Sequence, residues 1–123
     1  MTRYHARWIV PVSAPPIANG TLVEHRGRIE WVGPTPEAPP ASESDEVIDL
    51  GDAMLLPGLV NAHCHLELTA MRGFLDGLPF REWILRLTTA RRAVLTAESL
   101  LDAARLGVEE GMRAGVTTFA DTG

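Results

Sequence analysis

The chain opens on short alternations of apolar and polar residues and closes on helical periodicity, with the change near its middle. Over residues 4 to 32 the alternation predicts short strands. TLVEHRGRIEWVG (21–33) reads as two extended runs around a turn at His25, Arg26 and Gly27. Ile29 and Trp31 fall on one face, and Arg28 and Glu30 on the other, which predicts a hairpin with one buried face. In GPTPEAPPASESDE (33–46) four prolines and a run of small and acidic residues predict a loop. VIDLGDAMLLPGLV (47–60) resumes the strand pattern, with Gly51 and Asp52 as a turn candidate and Pro57-Gly58 as a break. Residues 59 to 62 are apolar apart from Asn61, and read as a short buried strand.

Beyond Thr69 the apolar spacing lengthens. Phe80, Ile84, Leu87 and Arg91 recur at helical intervals, and Pro79 sits where a first turn begins. A second helix is marked by Thr96 as N-cap and by a packing stripe of Leu100, Leu101, Ala104, Val108 and Met112. Asp102, Arg105, Glu109 and Arg113 take its opposite face, and Gly115 ends it. Residues 116 to 120 read as a β-branched buried strand with Asp121 at its C-terminal end. Strand, helices and strand together predict a β/α crossover unit.

Composition narrows the functions open to such a chain. Its 123 residues are 46% hydrophobic, enough for a real core. A net charge of −5 without a cluster of basic residues argues against a nucleic-acid partner and for a small neutral or modestly polar ligand. The single cysteine, Cys64, excludes an internal disulfide and the paired-cysteine zinc sites. The apolar run at residues 8 to 12 is broken by Pro11 and too short for a signal or membrane segment, so the expectation is a cytoplasmic protein.

The residues that carry candidate chemistry are His63 and His65. In a strand, positions i and i+2 share a face, so the two imidazoles point together while Cys64 points away. Two neutral imidazoles at the C-terminal end of a strand are half of a zinc or iron site. A catalytic metal takes three protein ligands and keeps one position open. The bland reading is two histidines satisfied by backbone carbonyls at a strand end.

The stretch VIDLGDAMLLPGLVNAHCHLELTAMRG (47–73) resembles the first barrel strand of the amidohydrolase superfamily, with its Pro-Gly, apolar run and H-x-H. PFREWILRL resembles the helix that follows in the branch of S-adenosylhomocysteine, guanine and aminofutalosine deaminases and triazine chlorohydrolases. AGVTTFADTG resembles the second strand of that branch, and GRIEWVG its small β-sandwich domain. The resemblance implies a β-sandwich portion over residues 1–56 and the first β/α units of a TIM (β/α)8 barrel over 57–123. Such a barrel needs roughly 250 residues, so it is incomplete in this chain.

It implies metal ligands at His63 and His65, with zinc or iron bound, and places the family's remaining ligands on later strands that the sequence does not contain. The implied activity is hydrolytic deamination of an aminopurine-type small molecule, aminofutalosine or S-adenosylhomocysteine-like, by hydroxide on the metal. A triazine-type chlorohydrolase is the alternative within enzymes. Outside them stands a non-catalytic truncated or split fragment that binds a complementary barrel chain or a second copy. Alone, the chain is expected to be inactive and poorly stable, because its parallel strand pair has unpaired edges.

Other residues carry two readings each. Glu67 continues the alternation 63, 65, 67 into a substrate pocket, or caps the loop, or pairs with Arg72. Trp83 lines the substrate cavity or packs as core. Asp121 faces the site or caps the next turn, and Asn61, on the face of the histidines, is placed to orient one of them.

Overall fold

The computed structural model describes residues 1–123, which divide into two compact units, Met1–Pro57 and Gly58–Gly123. The first is a single five-stranded mixed sheet. Strands β1 (Thr2–Ile9), β2 (Ile17–His25) and β3 (Arg28–Pro34) form an antiparallel meander, and β4 (Glu46–Asp49) and β5 (Met54–Leu55) both run parallel to β1. The sandwich portion expected from the sequence thus takes the form of one sheet. The turn between β2 and β3 places Arg26 at φ 52° and Gly27 at φ 77°. Two successive left-handed residues match the twist of a tight hairpin, and the Glu24 carboxylate accepts the Gly27 N–H.

The hairpin's faces differ from the expected alternation. Val23 pairs with Trp31 but Glu24 pairs with Ile29, so Glu30 is an extra residue bulged out of β3. The bulge puts Ile29 and Trp31 on opposite sides. Trp31 joins the face of Val23, which is 2% exposed, while Ile29 is 65% exposed.

The proline-rich loop is held by one buried side chain. The Arg3 guanidinium donates from Nε to Asp45 at 2.7 Å and through its two other nitrogens to the carbonyls of Pro39 and Pro40 at 2.8 and 2.9 Å. Hydrogen bonding from Arg3, supported by the Ser42 N–H, holds the Asp45 carboxyl below the usual carboxylate range. A depressed folded value stabilises the sheet above the ordinary carboxylate pKa, near 4, and that contribution is lost as pH falls through the lowered value. An acid titration of Trp8 and Trp31 fluorescence is expected to show this loss. Asp45→Asn should be less stable at neutral pH and lack the acid step; a variant with the parent's acid profile would contradict this.

His5 on β1 is half-buried. Its Nδ1 lies 2.7 Å from the hydroxyl of the fully buried Thr21, which in turn lies 2.9 Å from the hydroxyl of Thr35. A histidine on a strand is thus absorbed into the sheet's own polar chain.

In the second unit, β6 (Leu59–Cys64) and β7 (Val116–Asp121) form a parallel pair joined by α1 (Phe80–Val94) and α2 (Ala97–Arg113). Helix α2 begins at a reciprocal cap: the Thr96 hydroxyl accepts the Ser99 N–H at 3.2 Å and the Ser99 hydroxyl accepts the Thr96 N–H at 2.8 Å. Thr96→Ala is expected to cost about 1 kcal/mol, read as faster amide exchange in the first turn of α2. Unchanged exchange there would contradict the assignment.

The packed side of α2 is not the large-residue stripe. Ala103 is the buried position, Gly107 lies against Thr69 and Leu66, and Gly111 lies against the Phe119 ring. Small residues let the helix approach closely, whereas Leu101 and Met112 remain 52% and 64% exposed. Strands β6 and β7, expected to be buried, are largely open, with Val60 at 64%. Each has the other as its only strand neighbour, which leaves their outer edges unpaired. No helix is long and apolar enough to cross a membrane.

Candidate metal centre

Strand β6 ends at Cys64, and residues Leu66–Met71 turn into a 3-10 helix. His63 therefore projects from the last turn of the strand's pleat, and His65 from the residue that caps the following turn. Their ring centroids are 5.2 Å apart with the planes at 87°. Two imidazoles whose nitrogens share a tetrahedral zinc at roughly 2.0–2.1 Å have centroids about 5 Å apart. The pair fits that spacing, and its donor set, two imidazoles, suits zinc. It is nevertheless half a site: no group of three His, Cys, Asp or Glu side chains converges to hold a metal ion.

The strand's alternation does not extend to Glu67, because the chain has already turned. The turn itself delivers that carboxylate to the same place. His63, His65 and Glu67 line a cavity of about 420 Å3 whose opposite wall is α1, contributing Phe80, Trp83 and Arg91. Phe80 and Trp83 stand 5.9 Å apart and tilted by 33°, an aromatic wall facing polar groups. Glu67 does not pair with Arg72, which bonds Glu110 of α2 instead. Its oxygen Oε1 lies 3.3 Å from Arg91 and 4.0 Å from His65 Nδ1.

Asn61 and Asp121 do not line the cavity. The Asn61 amide oxygen accepts the backbone N–H of His63 at 3.4 Å, so it braces the strand and not an imidazole. Asp121 accepts the N–H groups of Leu66 and Gly123 at 3.2 and 3.4 Å, tying the end of β7 to the turn after the histidines. Thr122, which strand alternation does not single out, bonds the Cys64 carbonyl at 3.0 Å and stands 3.5 Å from His65 Nε2. Its signal is topological: a residue just past β7 lies beside one just past β6 only once the strands are known to be parallel. Burial, with Asp121 and Glu67 adding repulsion, pushes the Cys64 thiol up and keeps it a thiol.

Comparison with known proteins places this arrangement. Residues 54–123 match the model of the amidohydrolase family, more than half of the chain. The 5-methylthioadenosine/S-adenosylhomocysteine deaminase of Moorella thermoacetica is 39% identical over 113 residues, covering 92% of this chain and 26% of that protein. An adenosine deaminase from Xanthomonas campestris, solved with bound zinc, superposes with a TM-score of 0.78 at 26% identity. The match covers 99% of this chain and 28% of that one. Atrazine chlorohydrolase from Arthrobacter aurescens, complexed with zinc, gives 0.84 at 23% identity, covering 98% and 28%. The chain spans about a quarter of the length of the curated relatives it matches. With the histidine pair at the end of its strand and the family's model matched from β5 to the last residue, the chain belongs to the amidohydrolase family.

Proposed function

We propose that residues 1–123 supply the first metal-holding strand and one wall of the substrate pocket in a hydrolase that removes ammonia from an aminopurine nucleoside. The observation that carries this reading is the joint presence of His63, His65, Glu67, Phe80 and Trp83 around one cavity. The named activity of the relative at 39% identity supports a 5′-substituted adenosine, of the methylthioadenosine or S-adenosylhomocysteine type, ahead of aminofutalosine. Likeness to the chlorohydrolase rests on fold alone and carries no substrate with it.

His63 and His65 would hold a divalent metal, with zinc bound in the structural neighbours. The metal supplies Lewis acidity when bound. The chain's own residues bind and orient. Trp83 and Phe80 offer an aromatic surface against which a purine ring packs, which also excludes water from one side of it. Asn61, Asp121 and Thr122 fix the backbone from which the imidazoles project. A catalytic zinc takes three protein ligands, so the remaining donor is supplied by protein outside these residues. The net charge of −5 suits a small-molecule substrate and not a nucleic acid.

The test is a chimera in which residues 1–123 replace the matching segment of the Moorella thermoacetica relative. The zinc-loaded chimera is expected to release ammonia from 5′-methylthioadenosine, and His63→Ala or His65→Ala to abolish the release. A folded, zinc-loaded chimera without activity would sink the proposal.

A further inference from the structure

Glu67 and Arg91 form an ion pair whose hydrogen bonds are not made. Arg91 approaches with Nη2 at 3.3 Å from Glu67 Oε1, while Glu67 Oε2 and Arg91 Nε are both buried without any hydrogen-bond partner. These are two atoms that one N–H···O bond of a side-on contact would join. A guanidinium meets a carboxylate most strongly side-on, through two such bonds, and a buried polar atom left unpaired is costly. The pair is therefore poised next to a more favourable arrangement that differs by a small shift of one partner.

The partner able to shift is α1. Leu87 is its one buried residue, and Glu67–Arg91 is the one ion pair joining it to the rest of the unit, since Arg86 pairs within the helix. The segment leading into it contains three left-handed residues, Gly73 at φ 73°, Leu75 at φ 66° and Gly77 at φ 80°. By contrast Glu67 is anchored, with its side chain 13% exposed, on a turn that packs against α2 through Gly107.

We infer that Glu67 and Arg91 are positioning residues: forming their two-bond contact draws α1 inward and sets Phe80 and Trp83 against the ligand facing His63 and His65. This rests on the cavity being the substrate pocket. It also assigns Glu67 a role through Arg91 in place of direct contact with substrate.

Amide hydrogen exchange of the full chain, read separately for α1 and α2, tests it with and without adenosine as probe. In Arg91→Lys, which keeps the charge but cannot form the fork, α1 amides are expected to exchange about tenfold faster while α2 is unchanged. Glu67→Gln should act likewise. Adenosine should slow α1 exchange in the parent and much less in Arg91→Lys. Unchanged α1 exchange in both variants would overturn the inference, and so would equal acceleration of α1 and α2, because the pair would then support the whole unit. If adenosine slows nothing in the parent while the variants still free α1, the latch stands and the pocket assignment fails.

Discussion

Leu87→Ala is expected to lower the stability of the second unit by about 2–3 kcal/mol. Leu87 is 4% exposed and is the single fully packed residue of α1. Truncation removes its transfer free energy, but the site borders the histidine cavity. The space opened is therefore continuous with an existing cavity, and the effect falls toward the low end for a buried leucine. Leu85, on the same helix but 61% exposed, is the control. Leu85→Ala should stay within about 0.5 kcal/mol. Chemical denaturation followed by Trp83 fluorescence, with Trp8 and Trp31 replaced by Phe, separates the two variants. Equal effects would show that α1 is not docked through Leu87. Loss of that docking would also remove the aromatic wall from the metal-holding strand, so the same substitution should weaken adenosine binding.

Much of the second unit was legible from local chemistry. Thr96 caps α2, Gly115 stops it, and Pro79 precedes the first residue of α1. Strand alternation reached the histidines only as far as His63, because β6 ends at Cys64 and His65 belongs to the turn that follows, where the two rings nevertheless come within 5.2 Å. The resemblance of four segments to one family supplied the architecture that periodicity could not.

What escaped the sequence depends on partners distant along the chain. Arg3 and Asp45 are 42 positions apart, and nothing near either marks them as a buried pair. Thr2 aligns with Glu46 in a parallel register that no hairpin signal announces. Glu67 was read by strand alternation and by its neighbour Arg72. The structure replaces both with a 3-10 turn and a partner on α1. Burial was misjudged where large apolar residues were taken as inward-facing. On α2 the close contacts fall on Ala103, Gly107 and Gly111, because approach distance and not hydrophobicity alone selects the packed side. A single bulged residue, Glu30, turned Ile29 outward.

The central claim is that His63 and His65 bind one metal ion together. A zinc titration of the 123-residue chain, followed by the imidazole resonances of all four histidines, tests it most directly. The expected result is that His63 and His65 shift in concert and saturate at one zinc per chain, with His5 and His25 unaffected. Each single alanine variant should lose more affinity than the tenfold to hundredfold, roughly, that removal of an outer hydrogen-bonding partner costs at metal sites. Independent titration of the two rings, or an alanine variant that binds zinc as tightly as the parent, would contradict the account.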